Sequence, residues 1–228
     1  KLAHLVDNER AANQAYEAEL LREAQSYLRR AVERGCKTCL REMADLFGKG
    51  TALENGQQEI YYLEQAVAAG LTNLDNRIGR LYWTGGVGLP ESPERAVSKL
   101  ETDPRSSRDF EILAIAHFTG TGVERDGDLG FHYARQRFEM NVQSDEQLTY
   151  LAAKHFDELG DRNRAQTYFA ICGANTRAQI GLGGEGSKSR RSECEDRMRL
   201  DWNRLSVSDR RAYLRDICFE YALYPGLD

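Results

Sequence analysis

Apolar and small residues recur along this chain at helical spacing, and one short arrangement of them returns every 35 residues. Ser26–Gly35 and Tyr61–Gly70 coincide at five positions: Tyr27 with Tyr62, Leu28 with Leu63, Ala31 with Ala66, Val32 with Val67 and Gly35 with Gly70. The stretch that follows repeats as well. Phe47, Tyr82 and His117 stand 35 apart, each preceded three residues earlier by a small residue, Ala44, Gly79 and Ala114. A fourth copy comes after a slightly longer step, with Ala152, His155 and Phe156. Self-similarity at this period is the mark of stacked supersecondary units, so the pattern predicts pairs of helices.

The chemistry of one unit explains its spacing. Ala31, Ala66, Ala96, Ala134 and Ala165 fall on one helix of the pair, and Ala44, Gly79, Ala114 and Ala152 on the other. Small side chains where two helices cross let the backbones approach, while Tyr27, Leu28 and Tyr62 fill the flanks. Gly35 and Gly70 fall just after a helix, where a residue of positive φ commonly ends it. Gly48–Gly50, Gly85–Gly88 and Gly120–Val123 are predicted as the turns inside the units, and Pro104 must interrupt any helix near Glu101–Arg108. Leu2, Leu5 and Val6 make residues 1–13 the second helix of an earlier unit or a fraying end.

These copies resemble the Sel1-like repeats, relatives of the tetratricopeptide repeats. Ile78-Gly79-Arg80-Leu81-Tyr82-Trp83-Thr84-Gly85 and Ile115-Ala116-His117-Phe118-Thr119-Gly120-Thr121-Gly122-Val123 match the first helix and turn of that pattern. Tyr62-Leu63-Glu64-Gln65-Ala66 and Pro93-Glu94-Arg95-Ala96-Val97 match the second helix. The resemblance covers about residues 14–173, and no copy is perfect: the fourth loses the glycine loop and reads Leu159-Gly160-Asp161. It implies an all-α, right-handed α-solenoid of about four helix–turn–helix units over residues 1–175, whose first helices line a concave groove. Groove positions implied in this way are Arg41, Asn76, Arg80, Trp83, Glu111, Phe118, Thr149 and Phe156. Trp83, Phe118 and Phe156 share one repeat position and form either an aromatic stripe for a partner or a core between units, since rings at helical spacing are usually buried.

The C-terminal part does not repeat. Gly181–Arg191 is rich in Gly and Ser with a basic end, so residues 176–200 are predicted as a flexible linker. Residues 201–228 are predicted as a capping or docking helix: Ser208–Arg211 looks like a helix start, and Leu214, Ile217, Cys218 and Tyr221 follow on one apolar face. A solenoid needs such a cap at its end.

Composition narrows the function. A net charge of -5 argues against a nucleic-acid binder, and no apolar run is long enough to span a bilayer. The chain opens at Lys1 without an initiator Met, as a mature or trimmed chain would. Its five cysteines, Cys36, Cys39, Cys172, Cys194 and Cys218, cannot all pair within one chain. Cys36-Lys37-Thr38-Cys39 is read first as packing or a simple disulfide, with a thiol-redox pair as the alternative, since no second CxxC or nearby His completes a metal site. Disulfides at these positions would place the chain in the periplasm or outside the cell; the alternative is the cytoplasm.

No catalytic constellation appears. Gly120-Thr121-Gly122 is not followed by Gly-Lys-Ser/Thr, and Gly85–Gly88 follows no strand, so both loops are turns rather than phosphate cradles. His117 and His155 occupy the aromatic repeat position and read as packed rings; His4 and His132 are isolated. Arg190-Arg191 reads as a solvated end of the linker. The sequence therefore predicts a scaffold that binds a protein or peptide, not an enzyme, with no metal, no cofactor and no small-molecule substrate. A second reading is a structural component of a bacterial envelope or secretion complex, acting through the convex face or the C-terminal helix.

Overall fold

The computed structural model describes residues 2–140, 146–178, 193, 194, 196 and 197. Among these the chain is helical, and it divides between Pro104 and Arg105 into two compact units. The predicted C-terminal helix, Cys218 and most of the predicted linker lie outside the described residues.

The first unit holds α1 (Leu2–Glu33), α2 (Cys39–Leu46), α3 (Gly56–Ala68), α4 (Asp75–Thr84) and α5 (Pro93–Leu100). α1 is one continuous helix, so residues 2–13 are its beginning rather than a separate element. The sequence has neither Gly nor Pro between Leu2 and Glu33 to break it. Gly35 and Gly70 both have φ of 92° and end α1 and α3, as their place in the repeat predicts. Proline at the first position of α5 loses no hydrogen bond, because that N–H has no partner within a helix.

The small-residue crossing is visible at Gly79. A Cβ there would lie 2.7 Å from Leu100 Cγ and 3.0 Å from the carbonyl oxygen of Ala96, so α4 and α5 touch through a glycine and an alanine. Around this crossing Ile60, Leu63, Leu74, Ile78 and Leu89 form an aliphatic core. Burying each of these side chains contributes about 1.5–3 kcal/mol.

The second unit holds α6 (Ser107–Thr119), α7 (Gly127–Glu139), α8 (Glu146–Glu158) and α9 (Arg162–Ala178). Ser106 and Asp109 form a reciprocal capping box at the start of α6: Ser106 Oγ accepts from Asp109 N, and Asp109 Oδ2 accepts from Ser106 N. This core is aromatic. Phe118, Phe138, Phe156, Tyr168 and Phe169 are buried together, with Phe131 edge-on to Phe156 at 4.7 Å between centroids. Gly130 plays the part of Gly79, since a Cβ there would meet Phe118 Cδ1 at 2.9 Å.

A hydrogen bond recurs in both units that the sequence pattern only hints at. The carbonyls of Phe47, Tyr82 and His117 accept the backbone N–H of Asn55, Ser92 and Asp126 at 2.9, 2.8 and 2.9 Å. Those three donors are the N-cap residues of α3, α5 and α7. Asn55 and Asp126 also cap by side chain, accepting from Gln58 N and Leu129 N. The aromatic repeat position thus closes the turn with its carbonyl while its ring packs inward. His117 and His155 are buried as that role requires, His117 stacked on Tyr133 at 5.5 Å.

Candidate interaction surface

In the first unit the predicted groove residues part company. Asn76 is buried, and its Nδ2 donates to the carbonyl of Asp103 at 2.6 Å. It ties the start of α4 to the chain leaving α5. Arg41 is exposed. Arg80 and Trp83, one turn apart on α4, are half-buried, and Trp83 rests one part of its ring against the aliphatic core. The neighbouring α4 positions Ile78, Gly79 and Tyr82 are buried, so Arg80 and Trp83 stand where the helix turns from core to surface.

Arg77 holds the helices of this unit in register. Its guanidinium pairs with Asp45 of α2 and donates to Glu59 Oε1 of α3 at 2.8 Å from Nε. Burial opposes the charge on Arg77, but the two carboxylates outweigh it and hold the guanidinium more firmly protonated than usual. Burial, aided by Glu64, pushes the Tyr82 phenol up, and Arg95 lies over the Tyr82 ring at 4.2 Å.

Two features of the first unit escaped the repeat pattern. α1 exposes Tyr16, Leu20 and Tyr27, which fall on one helical face. At its C-terminal end, Tyr27, Arg30, Ala31, Arg34, Gly35 and Cys36 line a cavity of about 630 Å³. Arg30 and Arg34, spaced i and i+4 just before Cys36, were the available signal. Cys36 and Cys39 form a disulfide, with their Cα atoms 5.5 Å apart.

The second unit buries most of its predicted positions. Phe118 is 4% exposed, Phe156 1% and Thr149 1%. The two rings are core, the second of the two readings their spacing allowed, so Phe118 and Phe156 form no solvent-facing stripe. Glu111 is half-buried, pairs with Arg108 and lies 4.0 Å from the buried Arg137 of α7. It occupies the same repeat position as Asn76 and does the same work, tying the start of a first helix to the end of the second.

Beyond α9, the described residues of the tail pack onto α8 and α9. Cys194 is bonded to Cys172 with both cysteines buried. Tyr150 Oη donates to Glu193 Oε2 at 2.6 Å, Lys154 Nζ to Glu193 Oε1 at 3.3 Å, and Arg197 pairs with Asp157. The Tyr150 hydrogen bond, with help from Lys154, holds the Glu193 carboxyl below the usual carboxylate range. α9 itself continues through Ala178, into the region predicted as linker. Tyr150, Lys154 and Asp157 recur at i, i+4 and i+7, a face that nothing in the sequence paired with residues forty positions later.

Comparison with solved structures places this arrangement. A protective antigen of uropathogenic Escherichia coli, described as displaying an SLR fold, superposes over 88% of this chain with a TM-score of 0.55 and 16% identity. The fold is that of the Sel1-like repeat proteins. This chain spans only 41% of that antigen's length. A Sel1 repeat protein from Oxalobacter formigenes aligns over 86% of this chain and 92% of its own, with a TM-score of 0.47 and 15% identity. No family model and no curated protein matches the sequence. Among the described residues no helix is long and apolar enough to cross a membrane, and no cluster of His, Cys, Asp or Glu is arranged for a metal.

Proposed function

We propose that this Sel1-like chain is a protein-interaction module whose partner, a peptide or a folded domain, docks on the first unit, where Arg80 and Trp83 are the anchors and exposed Arg41 a further contact. The observation that carries this reading is a difference at one repeat position. Trp83 keeps part of its ring at the surface, whereas Phe118 and Phe156, its counterparts, are sealed in core. A half-exposed Trp beside an Arg is the residue combination that dominates binding hot spots. The pairing of Cys36 with Cys39 and Cys172 with Cys194 supports an oxidising compartment, the periplasm or the outside of the cell.

The test starts by identifying the partner with a photocrosslinker at position 83 of the full chain in the native host. The purified partner is then titrated against wild type and the Arg80→Ala/Trp83→Ala double variant. The reading expects an affinity loss of about 30-fold, the scale of a hot spot, with helical content unchanged. Unchanged affinity would refute the proposal.

A further inference from the structure

We propose that Cys36 and Cys39 form a thiol–disulfide exchange site for acidic, cysteine-bearing segments of other proteins, with Cys36 forming the mixed disulfide and Cys39 as its leaving group when a partner is oxidised and its resolving thiolate when a partner is reduced. This goes beyond the interaction module and stands without it.

The first argument is access. Exchange requires a sulfur that an external thiolate can reach in line with the S–S bond. Cys36 is half-exposed, whereas Cys39, the first residue of α2, is 9% exposed. Cys36 is the more exposed residue of the pair, which sets the order of the steps. An open concavity of about 630 Å³, lined by Cys36 among others, lies beside this residue.

The second argument is charge. Between Arg29 and Glu42 the chain carries five cations, Arg29, Arg30, Arg34, Lys37 and Arg41, against two carboxylates, Glu33 and Glu42, in a protein of net charge -5. Arg30 and Arg34 line the cavity itself. Arg30 is held in place over the Tyr27 ring at 4.7 Å. Positive charge beside a sulfur favours the nucleophilic thiolate, and it draws in acidic segments before the chemistry begins.

The third argument is what this bond does not do. Closing a loop over three residues restricts an unfolded chain much less than closing the 22-residue separation of Cys172 and Cys194. The longer, buried bridge is the structural one.

Starting from the disulfide in the structure, a partner thiolate attacks Cys36 Sγ. The partner–Cys36 bond forms, the Cys36–Cys39 bond breaks, and Cys39 leaves as a thiolate. A second thiolate of the partner then attacks the partner sulfur bonded to Cys36. A disulfide forms within the partner, and Cys36 is released as a thiolate. The partner dithiol is oxidised, the Cys36–Cys39 disulfide is reduced by the same two electrons, and the thiolates take up protons from water. The reverse sequence reduces a partner disulfide.

The experiment uses the full chain and two synthetic dithiol peptides, identical except that their cysteines are flanked by Glu or by Lys. Oxidation of each peptide is followed by mass spectrometry, with alkylation mapping of the protein cysteines. The proposal expects the Glu peptide to be oxidised at least about tenfold faster than the Lys peptide, with alkylation appearing on Cys36 and Cys39 only. In Cys39→Ser, a Glu peptide activated with a thionitrobenzoate leaving group should remain bonded to Cys36. Arg30→Gln/Arg34→Gln should erase the preference while leaving exchange with uncharged thiols intact. Equal rates for the two peptides in the wild-type chain, or a Cys36–Cys39 bond that neither peptide opens, would overturn it whatever the variants do.

Discussion

The two units are built on one repeat and use it differently. In the first, the cysteine pair sits at a surface beside a basic cavity, and the repeat position of Trp83 opens to solvent. In the second, the cysteine pair is sealed in the core, and the same repeat position is a buried phenylalanine twice over. The repeat fixes where backbones cross and where turns close; it does not fix which unit keeps its surface available. That choice is made by side-chain size at a few positions. The first unit keeps Cys36 and Trp83 partly exposed, and in the second Glu193, Cys194 and Arg197 pack onto α8 and α9.

The largest effect that separates them is on stability. Removing the buried bridge with Cys172→Ser should cost about 3 kcal/mol in chemical denaturation, and removing the surface bridge with Cys36→Ser about 2 kcal/mol or less. Equal losses would erase the distinction between a structural and an accessible disulfide. Next, Glu59→Gln should cost about 2 kcal/mol, because it takes from Arg77 its buried partner while Asp45 remains. Gly79→Ala and Gly130→Ala should each cost about 1–3 kcal/mol by overpacking, since both new methyl groups land within 3 Å of a neighbour. A penalty in one unit only would show that the crossings are not equivalent.

The smallest of these effects concerns the tail. Tyr150→Phe should cost about 1 kcal/mol by removing the hydrogen bond to Glu193. Because the Glu193 carboxyl titrates lower in the folded chain than in the unfolded one, its contribution is complete above the unfolded value of about 4.3. It is lost as pH falls through the lower, folded value. Proteolysis near Cys194 by an acid-active protease should therefore be slow at neutral pH and rise below about pH 4 in wild type; in Tyr150→Phe the rise should start at higher pH.

Much of this architecture is legible in the chain because it rests on local rules. Small residues at 35-residue spacing, glycines after helices and aromatic rings facing inward each have one physical cause, and the helices, turns and buried His117 and His155 follow from them. The groove positions were harder to read. Asn76 and Glu111 look like surface polar residues on a first helix, but Asn76 turns to bond the chain leaving α5 and Glu111 lies against Arg137 of α7. Phe118 and Phe156 carry the same periodicity whether a ring faces a partner or a core, so pattern alone left both readings open. The docking of Glu193 and Arg197 on α8 depends on contacts across forty residues, which no local spacing encodes.

The division between an accessible first unit and a closed second one is tested most directly by a single titration. The native full chain is equilibrated with increasing dithiothreitol, trapped by alkylation, and each cysteine is read by mass spectrometry. The account predicts that Cys36 and Cys39 become labelled at reductant concentrations that leave Cys172 and Cys194 bonded, and that the latter open only as helical signal is lost. Simultaneous opening of both bridges, or release of Cys172 and Cys194 first, would contradict it.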